Sequence, residues 1–135
     1  MCLYINTTET TTCKEQPITC YKVVRRNPYF TDNWISLIMT FRYKHGKYRT
    51  EKLKIIPPQG NILNYSVKEG FHSYVNLEHA QRVVDIKKKF YPEYTNSKVV
   101  ILKCRIPVGA EYVEGCDING RQNYVSSEIE VLCEL

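Results

Sequence analysis

The chain has 135 residues, 43 % of them hydrophobic and 24 % charged, and its formal net charge is +5. This length and composition predict one globular domain, residues 1–135, with a single core. They exclude a helical membrane protein, because no segment approaches the roughly 18 apolar residues that a membrane span requires. The charge favours an anionic partner, but it is too small to indicate a dedicated nucleic-acid-binding protein.

Residues 1–18 are rich in threonine and show no regular period, so we expect an N-terminal arm or an edge segment there. They carry neither a basic region nor a long apolar run, which predicts a chain without a signal peptide and a cytoplasmic location. A reducing compartment argues against disulfides among the six cysteines. The cysteines and histidines are also badly spaced for zinc, and we predict no metal site.

The segment 19–26, TCYKVVRR, is a short β-branched and aromatic run that predicts the first strand. After an Asn-Pro break, residues 34–56 predict one long hairpin with its turn at His45-Gly46, because glycine adopts a positive φ without steric cost. Its basic residues are Arg42, Lys44, Lys47, Arg49, Lys52 and Lys54. They indicate either lysines that protect an exposed sheet edge, which we favour, or a ribbon that contacts phosphates.

Residues 70–74, GFHSY, predict a short strand that leads into a helix. Asn76 is a good N-cap, apolar residues follow at helical spacing, lysines gather in the last turn, and Pro92 ends the helix. Residues 97–107 predict a central strand, and after a turn-rich connection residues 124–135 predict the last one. This order predicts an α+β fold, in which one main helix covers a face of a mixed, mostly antiparallel sheet.

Two carboxylates near the end of the chain, Glu128 and Glu130, are spaced i and i+2. In an extended segment both side chains point to the same face, where like charges repel and raise a pKa, as a catalytic carboxylate requires. The same pattern also describes any strand with one solvated face. The spacing alone leaves both interpretations open.

Other candidate residues lie in the first strand and before the helix. Arg25 and Arg26 end the first strand, where a guanidinium can bind a phosphate or a carboxylate through two hydrogen bonds, or form a surface ion pair. Ser73 can orient a neighbouring group or cap the helix. His72 is a candidate acid–base group, although a lone histidine beside apolar residues is more often structural.

Four segments, "CYKVVRR", "GFHSY", "VVILKCRIPVGAEY" and "YVSSEIEVL", together resemble the ADP-ribosyltransferase fold in its arginine–serine–glutamate class. That family has a strand ending in arginine, a Gly-Phe pair before a strand with a serine motif, and a helix. A strand closing in Ile-Pro-x-Gly and a Glu-x-Glu turn before an apolar strand follow. The resemblance covers residues 19–26 and 69–135, and the predicted hairpin would replace or extend what the family has between its first two motifs.

The resemblance implies a site that binds and cleaves NAD. Arg25, or Arg26, would hold the diphosphate or its ribose, and Ser73 would brace the site. Glu130 would accept a hydrogen bond from the nicotinamide ribose and stabilise the positive charge that develops as nicotinamide leaves. Glu128 would orient the acceptor nucleophile.

The serine motif departs from the family pattern. The family normally has Ser-Thr-Ser, whereas here Ser73 is followed by Tyr74 and Val75. His72 and Tyr74, the neighbours of Ser73, are the further residues that we expect in the nucleotide site. The last third of the chain is also similar to small proteins of phages and gut bacteria, which implies the cytoplasm of a bacterial or phage-infected cell.

Three functions follow from these patterns. The first is an ADP-ribosyltransferase-like enzyme that uses NAD as a substrate and modifies a macromolecule. The second is a non-catalytic protein on the same scaffold, which sequesters a nucleotide or inhibits a partner protein through its basic face. The third and least favoured is nucleic-acid binding by the basic hairpin, because only Tyr43 and Tyr48 interleave with its cations.

Overall fold

The computed structural model of the protein describes residues 3–5, 10–27, 33–36, 42–50, 53–56, 65–90, 99–117 and 119–135. Within these ranges the chain forms thirteen strands and one helix. In chain order they are β1 Leu3–Ile5, β2 Thr11–Thr12, β3 Ile18–Arg26, β4 Trp34–Ser36, β5 Arg42–Tyr43, β6 Gly46–Arg49, β7 Lys54–Ile56, β8 Tyr65–Glu69, β9 Phe71–Tyr74, α1 Leu77–Phe90, β10 Val99–Ile106, β11 Glu111–Cys116, β12 Gln122–Ser126 and β13 Glu128–Glu134.

The strands form one sheet in the order β6-β13-β10-β3-β9-β12-β11-β1-β8-β7, with β2, β4 and β5 attached beside this path. The neighbouring strands of the described residues pair in antiparallel orientation. This confirms the coarse prediction of a mostly antiparallel sheet with one helix. Strand β10 is central as expected: it pairs with β3 on one side and with β13 on the other.

The helix begins where its N-cap predicts. The Asn76 side-chain oxygen accepts a hydrogen bond from the His79 backbone N–H at 2.9 Å, which satisfies one of the free amides of the first turn. Ala80, Val83 and Val84 form its buried stripe. Among the described residues, no helix has the length and apolarity that crossing a membrane requires.

The two faces of the sheet bury different clusters. On β3, Cys20 and Val24 belong to the largest core cluster, whereas Tyr21 and Val23 point to the other face and pack with the helix. This is the period of two expected of a strand that is covered on both faces. A third cluster, around Val125, lies beneath β1, β8 and β12. Because alternate residues of a strand point to opposite faces, only side chains that share a face can contact each other.

Strand β3 changes partner along one of its edges. One edge pairs with β10 over eight residue pairs. The opposite edge pairs with β9 at a single position, Tyr21 opposite Tyr74, and then with β4 from Val24 to Arg26. The sheet therefore divides beside Lys22 and Val23, and we call this place the sheet fork.

The predicted long hairpin over residues 34–56 is not confirmed. A turn does lie near His45-Gly46, but the strands on its two sides do not pair with each other within the described residues. Strand β5 pairs with β4, β6 pairs with β13, and β7 pairs with β8. Local turn chemistry suggested that the two arms pair with each other, whereas Trp34 on β4 and Tyr43 on β5 lie opposite each other and pack in the large core. Lys52 lies outside the described residues.

Three further boundaries differ from the sequence predictions. The last strand is two strands, β12 and β13, separated at Ser127, whose N–H bonds the Glu111 carbonyl at 2.8 Å. The turn-rich connection before it contains β11, which pairs with β12. The N-terminal region supplies β1, which pairs on both sides and buries Ile5, as well as the edge strand β2. In all three cases, pairing with strands that are distant in the sequence determines where the strand lies.

Candidate anion-binding site

The structure keeps the predicted arginine and the predicted glutamate apart. Arg25 lies opposite Val99 at the start of β10, whereas Glu130 lies opposite Arg105 near its end. The two positions on β10 differ by six residues (105 − 99), which is about 20 Å at the usual rise of a strand. Both side chains point to the helix-bearing face by strand alternation. The two charged groups therefore do not meet in one nucleotide-sized cleft.

Each glutamate of the pair contacts a cationic side chain on a neighbouring strand. Arg105 donates two hydrogen bonds to Glu130, from Nε to Oε2 at 2.7 Å and from Nη2 to Oε1 at 3.2 Å. Arg49 Nε lies 3.5 Å from Glu128 Oε1. The bond from Arg105 lowers the pKa of Glu130, and the charge of Lys47 adds to this. The prediction that repulsion between the two glutamates raises a pKa is therefore wrong for Glu130, because the guanidinium beside it has the larger effect and lowers its pKa.

The second candidate arginine also has a partner. Arg26 holds Glu134 through Nε at 2.9 Å and Nη2 at 2.6 Å. The indole N–H of Trp34 donates to the same carboxylate at 2.9 Å. The bond from Arg26 lowers the pKa of Glu134. Arg26 is thereby committed to a link between β3, β4 and β13.

The remaining predicted residues, His72, Ser73 and Tyr74, lie on β9 at the sheet fork. Tyr74 packs in the cluster beneath the helix, so Ser73 points to the opposite face, away from Arg25. Ser73 is 2 % exposed and lies beside the Cys20 thiol. The structure thus separates the three residues on which the transferase site depends, and it brings a different residue to the fork.

That residue is Lys22, which is only 8 % exposed. Its Nζ donates a hydrogen bond to the His72 carbonyl, which has no β3 partner at the fork. The same ammonium lies 5.1 Å from the centroid of the Tyr43 ring. No carboxylate of the described residues forms an ion pair with it. A buried ammonium is ordinarily paired with a carboxylate or another anion, so this environment is unusual.

The charge of Lys22 acts on the groups around it. Burial, assisted by Lys22, lowers the pKa of His72 to about 4, so the imidazole is neutral near pH 7. Burial raises the pKa of Cys20 to about 11, although the Ser73 hydroxyl and Lys22 both oppose this rise. The side chain of Lys22 therefore lies near a neutral imidazole and a protonated thiol.

Two buried hydroxyls on this face, those of Ser73 and Ser126, make no hydrogen bond of ordinary geometry among the described residues, although the Cys20 thiol lies beside Ser73. Ser126 is fully buried and lies on β12 opposite Phe71, while Ser73 lies opposite Tyr124. The two serines are therefore diagonal neighbours on one face, about 7–8 Å apart. A buried hydroxyl without a partner loses its hydration uncompensated, which costs free energy.

Sequence reasoning missed Lys22, although a signal was present. Lys22 alternates in step with Cys20 and Val24 on the first strand, so a cation stands at a position of the buried face.

The described part of the chain contains no group of three or more His, Cys, Asp and Glu side chains placed to bind a metal ion. No family model matches the chain, and neither do curated proteins nor solved structures.

Proposed function

We propose that the protein is a non-catalytic binder of a small phosphorylated ligand, a nucleotide in the first instance, which it holds at the sheet fork through Lys22. The observation that carries this proposal is the buried ammonium of Lys22, which has no carboxylate partner among the described residues. The buried hydroxyls of Ser73 and Ser126 on the same face, which make no hydrogen bond of ordinary geometry within the described part of the chain, support it.

The chemistry of the fork favours an anion with several oxygens. An ammonium has three N–H donors, and the His72 carbonyl accepts one of them. A phosphate group supplies acceptors for the remaining donors and for a serine hydroxyl, and its charge offsets the cost of burying the ammonium. The Tyr43 ring already faces the cation and excludes water from one side of it.

The separation of the candidate catalytic residues favours binding without turnover. Cleavage of NAD as the family resemblance implies needs a carboxylate next to the ribose of a nucleotide whose diphosphate an arginine holds. Arg25 and Glu130 lie six residues apart along β10, and Arg105 neutralises Glu130. The transferase proposal therefore rests on its sequence motifs alone.

Titration calorimetry with ADP, NAD and inorganic phosphate tests the proposal. We expect binding by the wild-type protein and a loss of about 10- to 100-fold in affinity in Lys22→Met, the range for one charge-assisted hydrogen bond. Lys103→Met is the matched control, because Lys103 lies on the neighbouring strand and points to the other face. Equal losses in both variants, or no binding by the wild type, would contradict the assignment.

Stability provides an independent check on the same variant. In the absence of ligand, methionine at position 22 removes a buried charge and keeps most of the side-chain volume. We therefore expect Lys22→Met to be as stable as the wild type or more stable, because replacing a buried charge by a hydrophobic residue is often neutral or stabilising. Strong destabilisation would mean that Lys22 serves the fold and not a ligand.

A further inference from the structure

A second cationic surface lies apart from the buried ammonium of Lys22. We name it the basic turn: the exposed side chains of Arg42, Lys44, His45, Lys47 and Arg49. Arg49 is 79 % exposed and pairs loosely with Glu128 at 3.5 Å. Within the described residues Arg42, Lys44 and Lys47 take part in no ion pair. These exposed side chains can therefore reach an external anion, although the charge of Lys47 also acts on Glu130.

Aromatic contacts hold the basic turn in place. The Tyr48 hydroxyl accepts from the Lys44 N–H and lies 3.1 Å from its carbonyl. The Tyr43 and Tyr48 rings meet edge to face at a centroid distance of 5.3 Å. His45 packs in the same way on Trp34 at 5.1 Å. A partner that binds here meets a preformed surface, so little ordering free energy is lost.

The basic turn also includes a terminal strand of the sheet. Strand β6 pairs with β13 along one edge, through Gly46 to Arg49. In the part of the chain that the structure describes, no strand pairs with its other edge. Lys47 and Arg49 lie opposite Glu130 and Glu128 on one face, whereas Tyr48 packs toward the core. The backbone groups of this edge and its two cations point to a specific kind of occupant.

We propose that an extended, acidic segment of a partner protein adds to β6 as a further strand. Main-chain hydrogen bonds to the free edge would supply affinity, and alternate acidic side chains facing Lys47 and Arg49 would supply specificity. A second copy of this chain is unsuitable, because two β6 edges would place these cations near each other. Nucleic acid fits less well, because Tyr43 is buried and the Tyr48 ring packs on Tyr43 and Phe71, so neither offers a free face to a base.

Titration with poly-L-glutamate tests the charge requirement, with a thymidine oligonucleotide of equal charge as the competing polyanion. The fluorescence of Trp34, the single tryptophan, reports on binding because its ring contacts His45. We expect poly-L-glutamate to bind more tightly than the oligonucleotide, and its affinity to fall with added salt. A tighter or equal affinity for the oligonucleotide would overturn the proposed partner class.

Charge reversal locates the surface. We expect Lys47→Glu to weaken poly-L-glutamate binding by about 10-fold or more, because it replaces attraction by repulsion at a preformed site. Lys88→Glu on α1 makes the same change in net charge away from β6 and should change the affinity by less than about twofold. Equal losses in the two variants would show a nonspecific effect of net charge and refute the basic turn as the site.

Amide hydrogen exchange decides whether the acidic chain pairs as a strand. In an antiparallel strand, alternate residues direct their N–H groups to the free edge. With poly-L-glutamate bound, we expect slower exchange at alternate amides of β6 and unchanged exchange in α1. Binding without this protection would refute strand addition. Strand addition uses the backbone of β6 and the side chains of Lys47 and Arg49, so none of these results requires a phosphorylated ligand at the sheet fork.

Discussion

The Gly70→Ala substitution tests how tightly the packing around β9 fixes the sheet. Gly70 has φ +134°, and a β-carbon there would lie 2.5 Å from Val125 Cγ1 and 2.6 Å from Leu53 Cδ2. Both neighbours are buried, Val125 completely. The backbone conformation costs alanine about 1–3 kcal/mol, and overpacking adds about 1–3 kcal/mol. We expect a total destabilisation of about 2–6 kcal/mol.

Gly46→Ala is the matched control for this substitution. Gly46 has a similar φ of +124°, but no heavy atom of the described residues lies within 4 Å of the position that a β-carbon would take there. Only the backbone cost should appear, about 1–3 kcal/mol. Urea denaturation of the two variants and the wild type, followed by Trp34 fluorescence, measures the difference between the costs. Equal destabilisation of both variants would refute the packing argument.

Three further predictions concern titration, thiol reactivity and NAD. His72 has its pKa lowered to about 4 from 6.5, so the unfolded chain binds the proton more tightly. Stability should be complete above pH 6.5 and fall by about 3 kcal/mol towards pH 4; urea denaturation of His72→Gln across this range should lack that loss. A thiol reagent should modify exposed Cys116 rapidly but Cys20 and Cys104 only on unfolding, because burial raises their pKa values to about 11 and about 12; peptide mapping that finds early Cys20 modification would contradict this. With labelled NAD we expect neither nicotinamide release nor label transfer, and a release that Glu130→Gln abolishes would disprove the argument from separation.

Elements with strong local signals follow the sequence closely. The first strand, predicted at 19–26, is Ile18–Arg26, and the helix that Asn76 caps is Leu77–Phe90. The central strand, predicted at 97–107, is Val99–Ile106. In each case a β-branched run, or a cap followed by helical periodicity, favours the conformation before any distant contact forms.

The candidate site could be predicted only in part. Ser73 is buried on β9, but its proposed connection to Arg25 and Glu130 required a register that sequence motifs do not contain. In the sequence, Lys22 stands at a position of the first strand that alternation assigns to the buried face. That no carboxylate of the described residues pairs with it became visible only when the neighbouring strands were in place.

The sequence by itself determined approximately where β3, α1 and β10 begin and end, because caps and side-chain periods act over a few neighbouring residues. Only the tertiary structure decided which strands pair. Strand β5 pairs with β4 whereas β6 pairs with β13, and the division at Ser127 sends β12 and β13 to different neighbours. The physical reason is that strand pairing is a long-range contact: a free edge accepts many registers, and the choice among them depends on the combined packing of both sheet faces.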